Sequence, residues 1–133
     1  EDKDFKDTLH LIKEVKFINS YSYIFSPRPG TVAEKLKMID RKISLSRLEI
    51  IQKNLSNFQI NKNKSLENQT IKVLVENKTK DNQNLFGRSE YMTSVILKGN
   101  ENLIGKVIKA KINKSNRNTL FGNIEEISNK KVA

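Results

Sequence analysis

The chain has no cysteine in its 133 residues. Disulfides and thiolate-held metal centres are therefore excluded within it. Its one histidine, His10, has no partner ligands nearby and reads as a partly exposed helix residue. No apolar run approaches the roughly 18 residues that a membrane span needs, and no leader pattern opens the chain. The expectation is a soluble, cytoplasmic protein with no membrane partner. Serine, histidine and aspartate do not form a catalytic set, and no glycine-rich phosphate loop is present. The scattered carboxylates, Glu49, Glu125 and Glu126, read as solvated faces, so no catalytic residue is assigned. The chain opens on Glu1 rather than Met, which suggests a piece of something longer.

Proline is scarce, and both prolines flank one arginine in Ser26-Pro27-Arg28-Pro29-Gly30-Thr31. Each proline fixes its own φ and pushes the preceding residue out of the helical region. Gly30 permits a turn that other residues make only under strain. Arg28 is thus presented on a rigid exit, placed to pair with a carboxylate or a phosphate at a domain junction or facing substrate.

Basic side chains are abundant. Lys and Arg number 25 against 15 Asp and Glu, a net charge of +10 with a pI near 9.8. A polyanionic partner is implied. The excess divides evenly, +5 in residues 1–65 and +5 in residues 66–133, so charge by itself does not locate a binding face.

The pattern splits the chain into residues 1–61, residues 62–128 and a tail, 129–133. Phe5, Leu9, Ile12 and Val15 follow helical spacing, with Asp4 as the cap. Tyr21–Phe25 is apolar or aromatic at nearly every position and reads as a strand buried in a parallel sheet. Helix, strand, turn and helix make one α/β repeat, which cannot bury its own faces. From Asp40 to Asn61 a long helix carries the stripe Ile43, Leu48, Ile51, Leu55 and Phe58. Asn61–Ser65 reads as a polar linker.

Beyond it the period changes to two. Strands are expected at Gln69–Glu76, from Leu85 through Arg88, at Ser94–Lys98, at Lys106–Asn113 and at Thr119–Ile127. Five short strands in about 60 residues predict a small OB-like barrel. Gly87, Gly105 and Gly122 fit bulges or barrel corners. Lys109 and Lys111 must face away from Ile108 and Ile112. With Lys98, Lys106, Arg88 and Arg117 they form a candidate phosphate-binding set, and Tyr91 is an exposed aromatic placed to stack on a base.

These patterns, taken in order, resemble the C-terminal part of the MiaB-type tRNA methylthiotransferases. The likeness rests on the segment from Asp4 to Leu9 with Val15–Phe17, on Tyr21–Thr31 with Ala33, and on Arg47-Leu48. It continues through Val73-Leu74-Val75-Glu76, Gly87-Arg88, Val95, Ile104-Gly105-Lys106-Val107 and Leu120-Phe121-Gly122. Phe25 stands where the family often has Tyr, and Val32 where it often has Pro. The resemblance implies the last units of a radical-SAM barrel followed by a TRAM domain, a small RNA-binding β-barrel. It implies a parent enzyme with two 4Fe-4S clusters and S-adenosylmethionine. That enzyme attaches a methylthio group to carbon 2 of an N6-isopentenyl-type adenosine beside the tRNA anticodon. The family's cluster cysteines lie in its N-terminal parts, so this chain would bind no cofactor and be inactive alone. The implied partners are the tRNA anticodon arm and the missing N-terminal part of the same enzyme, in a monomer. Three other readings remain: the sister branch that modifies a ribosomal protein, a stand-alone RNA-binding barrel without catalysis, and a purely structural end piece that caps the catalytic domain.

Overall fold

The computed structural model describes residues 1–125, and the chain divides by its internal contacts into two compact units, Glu1–Gln59 and Ile60–Ala133. The expected end of the last strand at Ile127, Glu126 and the tail 129–133 lie outside the described residues.

In the first unit, α1 spans Asp2–Val15. Its cap is Glu1, three residues earlier than the cap expected at Asp4, and Asp4 is instead the reciprocal third helical residue of the capping box. Ile12 is buried, and Lys16 closes the helix in the left-handed region, its N–H bonding the Ile12 carbonyl at 3.0 Å. His10 is exposed, as its position on the polar side of α1 requires.

No strand forms at Tyr21–Phe25. A strand exists only as a hydrogen-bonded pair, and no described segment pairs with this one. Tyr21 and Tyr23 are 89% and 81% exposed. Pro27–Thr31 makes the expected rigid turn: Thr31 bonds the Arg28 carbonyl through its hydroxyl at 2.8 Å, and Gly30 has φ +80°. The segment after it is a short 3-10 turn, Val32–Lys35.

The second helix, α2, spans Arg41–Ser65. Asp40 caps it, accepting from the N–H groups of Lys42 at 2.9 Å and Ile43 at 3.3 Å. Arg47 ion-pairs with Asp2 and lies 5.2 Å from the centre of the Phe5 ring, tying the start of α2 to α1. The helix does not stop at Asn61. The expected linker Asn61–Ser65 is helical, and the reason is tertiary. Asn63 is 2% exposed, and its amide donates at 2.9 Å to the carbonyls of both Asn116 and Arg117. Leu66, just beyond the helix, is buried in the barrel core. Asn63→Ala leaves two inward carbonyls without their donor and is expected to cost about 1–3 kcal/mol. Urea unfolding of the 133-residue chain measures this, and a midpoint like that of the parent would contradict it.

The second unit is a closed five-stranded barrel with strand order β1-β2-β3-β5-β4, the strands being Thr70–Lys78, Leu85–Ser89, Ser94–Lys98, Val107–Ser115 and Thr119–Ile124 in chain order. Only β3 and β5 pair in parallel. Alternation drives the closure. Ile71, Val73 and Val75 of β1, Val95 and Leu97 of β3, Ile108, Ala110 and Ile112 of β4, and Leu120 of β5 point inward and are buried. The register shifts between Val75 and Asn77, where β1 meets Gly87, and between Ile112 and Lys114, where β4 meets Gly122. Gly87 and Gly122 therefore stand at barrel corners, as expected. Gly105 has φ +83° and makes the turn into β4, outside any strand.

Candidate nucleic-acid interface

Because inward positions are apolar, the alternate residues form the outer wall. β1 pairs with β4 so that Lys72 stands opposite Lys109, and Thr70 opposite Lys111. On the other side of β4, Lys111 stands opposite Asn123 of β5, and Asn123 opposite Lys98 of β3. One row thus runs Lys98, Asn123, Lys111, Thr70 across four adjacent strands. With neighbouring strands about 4.8 Å apart, Lys98 and Lys111 are about 10 Å from each other along this row. Lys109 and Lys72 lie one step further along the strands. All four lysines are exposed. The Glu125 carboxylate accepts from the Thr70 hydroxyl of this row at 3.4 Å.

The other expected residues do not join this row. Arg88 stands opposite Leu74 and Ser94 on β2. Its Nε lies 3.2 Å from the Glu76 carboxylate, and its guanidinium is 5.8 Å from the centre of the Phe86 ring. Its charge is compensated locally. Lys106 is exposed beside the Gly105 turn, and its carbonyl accepts from the Val75 N–H at 3.0 Å. Arg117 is exposed in the β4–β5 turn, whose backbone Asn63 holds.

Tyr91 is not exposed as expected. It is half-buried against the barrel core, and the Lys62 ammonium sits 4.4 Å from its ring centre. A ring face so occupied is not open for a base. Arg28 lies in the first unit, exposed on its turn, and makes no ion pair with the described residues.

Two groups escaped the sequence reading. Lys72 belongs with Lys109 because of a β1–β4 register that alternation alone does not fix. Phe86, Ile96 and Phe121 stand side by side on the outer wall of β2, β3 and β5. Their signal was the odd apolar residue at an outward position in each of three strands.

No group of three or more His, Asp or Glu side chains able to hold a metal occurs among the described residues. No described helix is long and apolar enough to cross a membrane.

Residues 64–124 match the family model described as "TRAM domain". The barrel is similar to TRAM domains over those residues. Along its whole length the chain is similar to the tRNA-2-methylthio-N(6)-dimethylallyladenosine synthases. The identity is 62% over 133 residues with that of Pelagibacter ubique, covering all of this chain and 30% of the relative. With the Ruthia magnifica protein it is 40% over 124 residues, and with the Rickettsia akari protein 42% over 125 residues. Each of these covers 92% of this chain and 28% of the relative. The chain therefore spans under a third of the length of the curated relatives it matches. The match to the TRAM model begins at Lys64, inside the last turn of α2. That turn is a structural part of the barrel through Asn63 and Leu66.

Proposed function

We propose that this chain is the C-terminal, tRNA-holding portion of an enzyme that methylthiolates carbon 2 of an N6-isopentenyl-type adenosine next to the tRNA anticodon. The observation that carries this reading is the 62% identity to a synthase so named, unbroken through both units of the chain. The exposed lysine row on the TRAM barrel supports it physically. Lysines spaced across a rigid sheet neutralise successive phosphates and set the position of an RNA arm without reading its sequence. Lys98, Lys109 and Lys111, joined by Lys72, are the central contacts in this proposal, with Lys106 and Arg117 toward its edges. Arg88, already paired with Glu76, holds its own strand in place more than it holds RNA.

The parent chemistry breaks an unactivated C–H bond, which calls for S-adenosylmethionine and iron–sulfur clusters. The donor set here does not fit a cluster, since there is no thiolate in 133 residues. Such groups would be held by the remaining part of the enzyme. That part is also the expected partner of residues 1–61, read as the end of a radical-SAM barrel with its connector helix. Tyr21, Tyr23 and Val32 stand exposed at 89%, 81% and 92%, surfaces that an adjoining α/β unit would cover. Arg28, on its rigid turn, would face that junction. In this reading the enzyme works in the cytoplasm, alongside its tRNA substrate.

Binding of tRNA by the 133-residue chain, titrated across a salt series against duplex DNA, tests the proposal. Micromolar affinity with a preference for tRNA and a log–log salt slope of about −3 is expected for four phosphate contacts. Equal affinity for both nucleic acids, or none at 50 mM salt, would overturn it.

A further inference from the structure

A groove opens on the outer wall of the barrel between the β1–β2 loop and strands β3 and β5. Its floor is apolar, built by Ile96 and Phe121, which pair in register on adjacent parallel strands. Phe86 flanks Ile96 on β2 and continues the apolar stripe. Amide side chains form the rim: Asn84 from the loop and Asn123 from β5.

The charges around it have one dominant sign. Lys80 and Lys98 line the groove. The β4 bulge brings Lys114 opposite Phe121, and Lys111 stands opposite Asn123. The one lining carboxylate, Asp81, is engaged by its own loop. It accepts from the Thr79 hydroxyl and from the Gln83 N–H, the latter at 3.1 Å. The Thr79 bond, then the Gln83 bond, hold its pKa below the usual carboxylate range.

An apolar floor bearing an aromatic ring, an amide rim and flanking ammonium groups matches one kind of ligand. A nucleobase has a flat apolar face, hydrogen-bonding edges and a phosphate on either side. The groove is also continuous with the phosphate-holding row through Lys98 and Asn123. A strand of RNA laid on that row would bring an unpaired base over Phe121.

We propose that the TRAM barrel holds one unpaired RNA base in this groove, stacked on Phe121 with Ile96 beneath it and its flanking phosphates on Lys98 and Lys114. The proposal rests on the RNA-binding reading above and adds to it a site for a single-stranded nucleotide. A base stacked on an aromatic side chain is worth about 1–3 kcal/mol, equivalent to about 5- to 150-fold in affinity.

The test uses the 133-residue chain, an eight-nucleotide single-stranded RNA and a duplex RNA of the same sequence. Phe121→Leu keeps apolar volume and removes the ring. It is expected to weaken single-strand binding at least fivefold, leave duplex affinity within twofold and leave the salt slope unchanged. Phe121→Tyr, which keeps the ring, is expected to restore single-strand affinity. Circular dichroism melting of both variants verifies that the barrel is folded. As a measurement independent of substitution, the side-chain amide NMR signals of Asn84 and Asn123 are expected to shift with the single strand and stay fixed with the duplex. Parent-like single-strand affinity in Phe121→Leu, or unshifted amides, would overturn the groove while leaving tRNA binding by the lysine row intact. Equal weakening toward both RNAs would also overturn it, because the ring would then serve the barrel and not a base. Failure of the parent chain to bind tRNA would instead remove the reading on which the groove depends.

Discussion

Replacing Lys98, Lys109 and Lys111 together by alanine is expected to lower tRNA affinity by about 100- to 1,000-fold at 0.1 M salt. Each phosphate contact contributes roughly one unit to the log–log salt slope, so each is worth about tenfold at 0.1 M relative to 1 M salt. The three side chains are exposed and make no ion pair among the described residues, so their loss removes charge without uncovering core. Thermal stability is accordingly expected to stay within about 0.5 kcal/mol of the parent. The salt slope is expected to flatten by about two to three units. Arg88→Ala serves as the contrast. Its guanidinium is paired with Glu76 and lies over Phe86, so its loss is expected to disturb the β1–β2 wall and change the salt slope little. Filter binding of the triple variant and of Arg88→Ala across 50–300 mM salt separates the two effects. A triple variant with the parent's slope would show that the row does not hold phosphate.

Gly122→Ala is expected to be among the most damaging single-methyl changes in the barrel. A Cβ at this position meets the backbone carbonyl of Lys111 on the paired strand and the Ile112 side chain. Neither can step aside, because Ile112 is wholly buried and Lys111 sits in the ladder next to the bulge. Overpacking of this kind costs about 1–3 kcal/mol, which in a domain of this size lowers the melting temperature by about 4–20 °C. Gly87→Ala meets the Leu74 carbonyl and the Val73 side chain in the same way. Gly105 is the control. Its φ is +83°, but nothing lies within 4 Å of an added Cβ. Gly105→Asn, a residue that accepts the left-handed region better than most, meets no clash and is expected to cost less than Gly122→Ala. Differential scanning calorimetry ranks the three. A Gly122→Ala melting temperature equal to that of Gly105→Asn would mean the corner does not need its glycine.

The barrel was legible because its residues obey a local rule. Val95 and Leu97, or Ile108, Ala110 and Ile112, alternate with lysines, and alternation needs no knowledge of the partner strand. β3 has the ends the sequence implied, Ser94 and Lys98. What escaped depends on contacts far along the chain. Asn61–Ser65 has linker composition, yet Asn63 finds the β4–β5 turn more than 50 residues away and the helix runs on. Tyr21–Phe25 has strand composition, but no described segment pairs with it. In the candidate site, outward direction was legible and company was not. Lys109 and Lys111 were found from alternation. Lys72 joins them through register, Arg88 is withdrawn by Glu76, and Tyr91 is covered by Lys62. Outward phenylalanines at positions 86 and 121 look like exceptions in a single strand and become a surface only when β2, β3 and β5 lie side by side.

The central claim is that this segment holds tRNA for a methylthiotransferase. It is tested most directly by grafting the chain onto the remainder of the Pelagibacter ubique synthase in place of the matching segment. Formation of 2-methylthio adenosine in tRNA is then followed by mass spectrometry for the graft and for the same graft carrying the triple lysine change. The account predicts active modification by the first, and for the second a KM for tRNA raised about 100-fold or more with kcat little changed. Equal KM in the two grafts would contradict it and leave the barrel a structural cap.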